Sequence, residues 1–302
     1  MRKLVFCAFL AVSFQSLYSQ NIESFGVFGG FNVPITIDKG FDKDPRYQSK
    51  FQIKGTPIGF HYGYDKPGFG YVLSPSYLTV GQTYTILNTT GGDVGTRDIT
   101  MNYFSLPIAL KFHLNDLSFF RLSAVAAADF CFLLDGKETI NMTAGKLKYP
   151  SGVTVPSGYT VAYDGVFVPQ INNQIYVPKD KMNAFQLFGG FGMRADLDLS
   201  ENWSVMADGR ANFAIFDSRN AAYLDQLQKP TGGPDVNGKP GAPDLYGQRR
   251  DIFLSVTFGI SKIIQTKPKF KERHSNPLPK VNYAKDLGIG KGKGKPSKKR
   301  KK

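Results

Sequence analysis

The chain is poor in the residues from which most catalytic and metal centres are built: 302 residues hold two cysteines, three histidines and one tryptophan. Cys7 falls in an apolar N-terminal stretch and only Cys131 lies beyond it, which excludes an internal disulfide framework and a multi-cysteine metal site. His61, His113 and His274 form no His-x-x-x-His pair and no Ser-His-Asp arrangement, so catalysis has little support and no cofactor is implied. Beyond the N-terminus no apolar run approaches the ~20 residues of a transmembrane helix. If the protein meets a membrane, it does so as strands.

Charge of one sign is also missing from the body of the chain. The total is 38 Lys and Arg against 24 Asp and Glu, a formal +14. Arg2 and Lys3 open the sequence without an acid, and residues 265–302 hold fourteen bases against Glu272 and Asp286, which leaves 22 of each sign in 20–264. The basicity is therefore a tail, and a neutral body does not suit a nucleic-acid binder.

What is present is an export signal and a β-rich composition. Met1-Arg2-Lys3 is a basic start, Leu4 to Phe14 an apolar core, and Ser19-Gln20 a cleavage junction, so 1–19 reads as a signal peptide. Cys7 lies too early to be a lipoprotein cysteine. The 32 glycines, 18 prolines and 25 phenylalanines describe strands and turns more than helices.

Alternation of apolar and polar residues is the dominant signal. Phe104, Leu106, Ile108, Leu110 and Phe112 alternate with Ser105, Pro107, Ala109, Lys111 and His113. The same period runs through 117–134, 185–198, 203–215 and 252–260, and less cleanly through 25–37, 51–64 and 69–87, with a bulge expected near Gly55-Thr56-Pro57. These make eight strands. Connections 38–50, 88–97, 136–183 and 217–249 are long, whereas Asp65-Lys66-Pro67-Gly68, Asn115-Asp116 and Ser200-Glu201-Asn202 are tight. Long and short connections in strict alternation predict an all-β fold: an eight-stranded antiparallel up-and-down transmembrane β-barrel in the outer membrane, with long extracellular loops and periplasmic ends. The competing reading is a soluble lipocalin-type barrel with its apolar phase turned inward around a ligand.

The sequence resembles the outer-membrane β-barrel family abundant in Bacteroidetes, which includes the PorT-like proteins. The resemblance is carried by Asn102-Tyr103-Phe104-Ser105-Leu106-Pro107-Ile108-Ala109-Leu110-Lys111-Phe112, by the glycine-rich Phe188-Gly189-Gly190-Phe191-Gly192, by the turn through Asn202-Trp203 and by the last strand, Phe253 to Ile264 with Gly259. It covers about 21–264 and implies architecture and outer-membrane location rather than an activity. Relatives commonly stop at the last strand, whereas this chain continues for 38 residues.

In a barrel of this size the interior is just filled by side chains. Lys111, Arg121, Asp129, Arg194, Asp196, Asp198, Asp208 and Arg210 fall in the inward phase, where they read as a rigidifying network of paired charges; a gated ion path or a small-barrel enzyme is the alternative. His113 reads as an interfacial side chain at a strand end, Asp42 and Asp44 as parts of an exposed loop, and Asp235-Val236-Asn237-Gly238 as a turn with a faint likeness to a calcium loop. Loop 136–183 carries short β-prone pieces that extend strands or form a lid. Residues 265–302 read as a disordered basic periplasmic tail in which Lys291, Lys293, Lys295, Lys298, Lys299, Arg300, Lys301 and Lys302 bind an anionic partner. The expected role is a non-enzymatic accessory or scaffolding subunit of an envelope complex, of the protein-secretion or outer-membrane-assembly type. Its expected partners are outer-membrane lipid, other envelope proteins, and peptidoglycan or an acidic periplasmic subunit.

Overall fold

The computed structural model describes residues 22–117, 119–230, 232–243 and 246–265. The expected signal peptide, and the expected tail beyond Gln265 with its eight partner-binding bases, lie outside the described residues.

The alternating segments form antiparallel strands, since side chains at every second position share a face of the sheet. They are β1 (Ile22–Asp38), β2 (Tyr47–Lys50), β3 (Ile58–Lys66), β4 (Phe69–Leu73), β5 (Ser76–Val80), β6 (Thr83–Leu87), β7 (Asp93–Asp116) and β8 (Phe120–Met142). After the third long connection come β13 (Phe185–Asp198), β14 (Trp203–Ala214) and β15 (Arg249–Gln265). Pairing passes from β1 to β3, through β4 and β5 to β7, then β8, β13, β14 and β15, and β15 returns to β1 in an unbroken ladder from Ile22 opposite Gln265 to Asp38 opposite Arg249. With β4 and β5 sharing one place, the ring has eight members and no free edge at its waist.

Segment 69–87 is interrupted at Ser74-Pro75 and Gly81-Gln82, yet it keeps a single register as far as Ile86: Phe69 faces Phe112, Ser76 faces Ser105 and Thr83 faces Asp98. The expected strand 51–64 begins only at Ile58, and where the bulge was expected the ladder breaks, with Lys54 alone of 51–57 in a bridge. The β1–β3 ladder ends at Gly29 opposite Ile58 and is resumed one residue out of step by the Asn32–Lys54 bridge. Asn32 fills the gap, its Nδ2 donating to the carbonyls of Thr56 at 2.9 Å and Thr79 at 3.0 Å.

The expected long connection 88–97 is instead a hairpin. Thr83 to Leu87 and Asp93 to Asp98 remain paired, and the turn is closed by Asn88 Oδ1, which accepts from the amides of Gly92 and Thr90 at 2.7 and 3.0 Å. The other three connections carry structure. β2 joins β6 above the ring. In 136–183, β9 (Gly145–Leu147), β10 (Thr160–Ala162) and β11 (Gly165–Val168) form a separate three-stranded sheet, and β12 (Ile171–Val177) returns along upper β8. Connection 217–249 contains a helix, α1 (Ala221–Gln228), which strand periodicity does not anticipate. Asn220 caps it, Oδ1 accepting from the Tyr223 amide at 2.8 Å.

The apolar phase faces out, which overturns the lipocalin-type reading. On β7, Phe104, Ile108, Leu110, Phe112 and Leu114 are 43 to 63% exposed, whereas Ser105, Ala109 and Lys111 are 1% exposed. Above Phe104 the outward phase becomes polar, with Asn102, Thr100 and Asp98; on β8 it changes after Leu134 to Lys137, Thr139 and Asn141. Phe104 faces Phe132 and Asn102 faces Asp135, so the change falls at one level on both strands. Phe104 to Leu114 matches the ~9–11 residues of a tilted membrane strand. At the opposite rim, beside the short turns, stand Tyr62, Tyr64, Tyr71 and Trp203, with the Tyr64 and Tyr71 rings stacked at 5.2 Å.

Candidate functional site

Strand β7 is a ruler for the interior. Near the short turns, Lys111 Nζ donates to Asp65 Oδ2 at 2.8 Å and to Asp196 Oδ2 at 3.3 Å. Asp196 also accepts from Arg194 Nε at 2.9 Å, and Arg121 Nη2 donates to Asp198 Oδ1 at 3.0 Å. Arg210 Nε donates to Asp208 Oδ1 at 2.7 Å, and Gly192 stands opposite Arg210 in the ladder. A Cβ at Gly192 would collide with the Gly209 carbonyl, so glycine is what lets these strands close beside the guanidinium.

All of Lys111, Arg121, Asp129, Arg194, Asp196, Asp208 and Arg210 point inward, and six of the seven enter ion pairs. Asp129 is the exception to the expected charge network: its Oδ1 accepts from Ser105 Oγ at 2.7 Å and from Cys131 Sγ at 3.3 Å rather than from a cation. Asp65, which the sequence places in a turn, is a hub of the network. It continues the inward phase of His61 and Gly63, and that continuity was the available signal. His113 is not interfacial either, since its Nδ1 lies 2.8 Å from Ser123 Oγ and its Nε2 3.5 Å from Asp65 Oδ1.

Higher up, Ser76, Ser105, Asp129, Arg210 and Asn212 border a void of about 40 Å³. That is space for a water molecule or so, not a solute. Above it an apolar plug fills the ring: Leu78, Ile99, Met101, Tyr103, Phe188 and Phe253. Phe188 packs edge-on against Phe253 at 5.2 Å, and α1 presses Tyr223 and Leu227 into the same cluster. Phe41 stacks on Tyr84 at 4.1 Å.

Over the plug lies a second ionic network that strand periodicity does not reveal. Glu138, with no exposed surface, is paired with Arg97 and accepts from Arg249 Nη1 at 3.2 Å through Oε2. Arg249 Nε donates to Asp38 Oδ2 at 2.8 Å, and Arg219 Nη1 lies 3.8 Å from the same oxygen. The network thus ties β1, β7, β8 and β15 to the chain leading into α1. Asp44, expected in an exposed loop, is buried and accepts from Arg46 Nη2 at 2.6 Å. A neutralising arginine next but one in the chain accounts for its burial.

Two of the long connections are joined to each other. Asp235 Oδ1 accepts from the amides of Lys239 and Asn237 at 2.9 Å each, and its Oδ2 accepts from the Gly152 amide at 3.1 Å. These backbone hydrogen bonds hold the Asp235 carboxyl below the ordinary carboxylate range. The segment is therefore a turn, and through Gly152 it fastens connection 217–249 to 136–183. Between these connections and upper β8 is a cavity of about 410 Å³ with Arg46, Tyr47, Tyr149 and Tyr176 in its walls.

The model of the outer membrane protein beta-barrel domain family matches residues 18–220. No curated protein matches the chain. Among solved structures, the chain is similar to Ail, the attachment invasion locus protein of Yersinia pestis, with 10% identity over 82% of this chain and 100% of that one and a TM-score of 0.31. It is similar to the outer membrane protease OmpT from Escherichia coli at 10% identity, covering 83% and 98%, with a TM-score of 0.35. A third is the outer membrane protein OprG from Pseudomonas aeruginosa, at 11% identity, covering 82% and 96%, with a TM-score of 0.33. With the family model spanning most of its strands, the chain belongs to the outer membrane protein beta-barrel domain family and is a protein of the outer membrane.

Proposed function

We propose that this protein is an eight-stranded up-and-down transmembrane barrel that passes no solute and acts as a non-enzymatic accessory or scaffolding subunit of an envelope complex. In this reading the membrane-spanning ring is an anchor, the connections 136–183 and 217–249 are presented outside, and the basic segment 265–302 reaches an acidic subunit or the cell wall on the periplasmic side. The PorT-like resemblance of Asn102 to Phe112 belongs to the same reading and favours a protein-secretion or assembly machine. The observation that carries it is the sealed interior, with paired charges below and an apolar plug above, beneath a folded outer cap. A transporter would need that path open. An anchor needs it rigid.

Purification of a tagged full-length chain in a gentle detergent tests the role. Envelope proteins should co-purify with it, and removal of 266–302 should weaken their association and its salt dependence while leaving the folded chain intact. Recovery of a lone monomer in every gentle detergent would contradict the proposal. The second reading is an enzyme or ion path in the charged lumen. An activity or conductance lost in Arg194→Met, in a chain that still folds, would favour it.

A further inference from the structure

The cavity in the outer cap has no part in anchoring. Its volume of about 410 Å³ lies within the ~300–1,000 Å³ of pockets that hold small ligands. The rings of Tyr47, Tyr149, Tyr159 and Tyr176 share its walls with Ile86, Ile140 and Met142. These rings are held in place before any ligand arrives. The Arg46 guanidinium lies 3.9 Å from the centre of the Tyr149 ring, and Tyr159 meets Tyr149 edge-on at 6.5 Å. Arg97 lies 4.1 Å over Tyr176 and donates to Tyr47 Oη at 3.0 Å. A pocket whose walls are fixed in this way loses little freedom on binding.

Its electrostatics narrow the ligand class. Among the described residues lining the cavity, Arg46 alone carries charge, and Asp44 neutralises it at 2.6 Å. An anion would meet a guanidinium already engaged, and a cation would meet a positive group. Thr154 Oγ1, also in the wall, donates to the Ala242 carbonyl at 2.7 Å. With so much of the wall apolar, a polyhydroxylated ligand would shed water without full replacement. Below the cavity, the Arg97–Glu138–Arg249 network and the apolar plug close the way into the ring. Whatever binds enters and leaves from the outer side.

We propose that this cavity binds a neutral, largely apolar aromatic compound of small-molecule size from the external side, by stacking against the tyrosine rings. The site is independent of the accessory role and adds ligand recognition to it. The test uses the full chain in detergent micelles with two probes of one ring skeleton: neutral N-phenyl-1-naphthylamine, and 8-anilino-1-naphthalenesulfonate, which adds an anionic group. The neutral probe should saturate at one site per chain above protein-free micelles and bind about tenfold or more tightly than the sulfonate. Gln174→Trp, a substitution at an exposed position on the cavity mouth, and Tyr149→Ala, which removes a stacking wall, should each weaken binding by about tenfold while the heat-dependent gel mobility of the folded chain is kept. No saturable binding beyond micelles, equal binding by Gln174→Trp, or a sulfonate bound as tightly as the neutral probe would overturn the proposal. Those results would leave co-purification with envelope proteins untouched, so the two readings fail separately.

Discussion

Glu138 shows what a single residue does in the cap. A carboxylate with no exposed surface is tolerated between two guanidinium groups, and Glu138 has Arg97 on one side and Arg249 on the other. Glu138→Ala would leave both arginines buried beside a missing partner, at a cost of about 3–5 kcal/mol. The loss should appear as a lower temperature at which the folded chain converts to its unfolded gel mobility; an unchanged temperature would contradict the pairing. Asp235 makes a prediction about pH. Its carboxyl is held below its unfolded value of ~3.9, so its contribution is present above that pH and is lost as pH falls through the lower folded value. The amides of Lys239, Asn237 and Gly152 should therefore lose exchange protection as pH falls through that lower value, and Asp235→Asn should remove that pH dependence. Residues such as Arg194 and Lys111 could be assigned to the interior from strand period alone. Asp65 was hidden by the turn residues Lys66-Pro67-Gly68 that follow it, although it continues the inward phase of His61 and Gly63, and Glu138 was hidden by its place in the connection 136–183.

At the level of elements, the outward face of β7 divides into a lipid-facing part and a part above it. Ile108 lies mid-belt, and Thr100 lies beyond the change to polar residues. Arginine on a lipid-facing strand position costs about 2–4 kcal/mol at the midplane and about 0–1 kcal/mol near an interface. Ile108→Arg should therefore impair folding into lipid vesicles, whereas Thr100→Arg should not; equal folding of the two would mean that this face does not meet lipid. The spanning strands were legible because a period of two, sustained over about ten residues or more, fits a half-buried strand and does not fit the 3.6-residue period of a helix. Even the interrupted 69–87 keeps one register against β7 as far as Ile86. The start of β7 at Asp93, inside the expected connection 88–97, was hidden by Asn, Thr and Gly, which suit a loop and a hairpin turn equally. The α1 helix was hidden by its surroundings of glycine and proline, although Asn220 followed by Ala-Ala-Tyr-Leu and ended by Pro230 is a start and stop signal.

For the whole molecule, the formal +14 dissolves into a balanced body and charged ends. Within the body, neutrality is local as well as global. The lower network sets Lys111, Arg121 and Arg194 against Asp65, Asp196 and Asp198, and the upper one sets Arg97, Arg219 and Arg249 against Glu138, Asp38 and Asp217. Pairing of this kind is what allows so many ionised groups to be buried. It also closes the ring twice, with the apolar plug between. The most direct test of this account is the current through a planar bilayer after insertion of the full chain, with folding verified by heat-dependent gel mobility. The sealed interior predicts a silent bilayer, and stable, discrete conductance steps from the folded protein would contradict it.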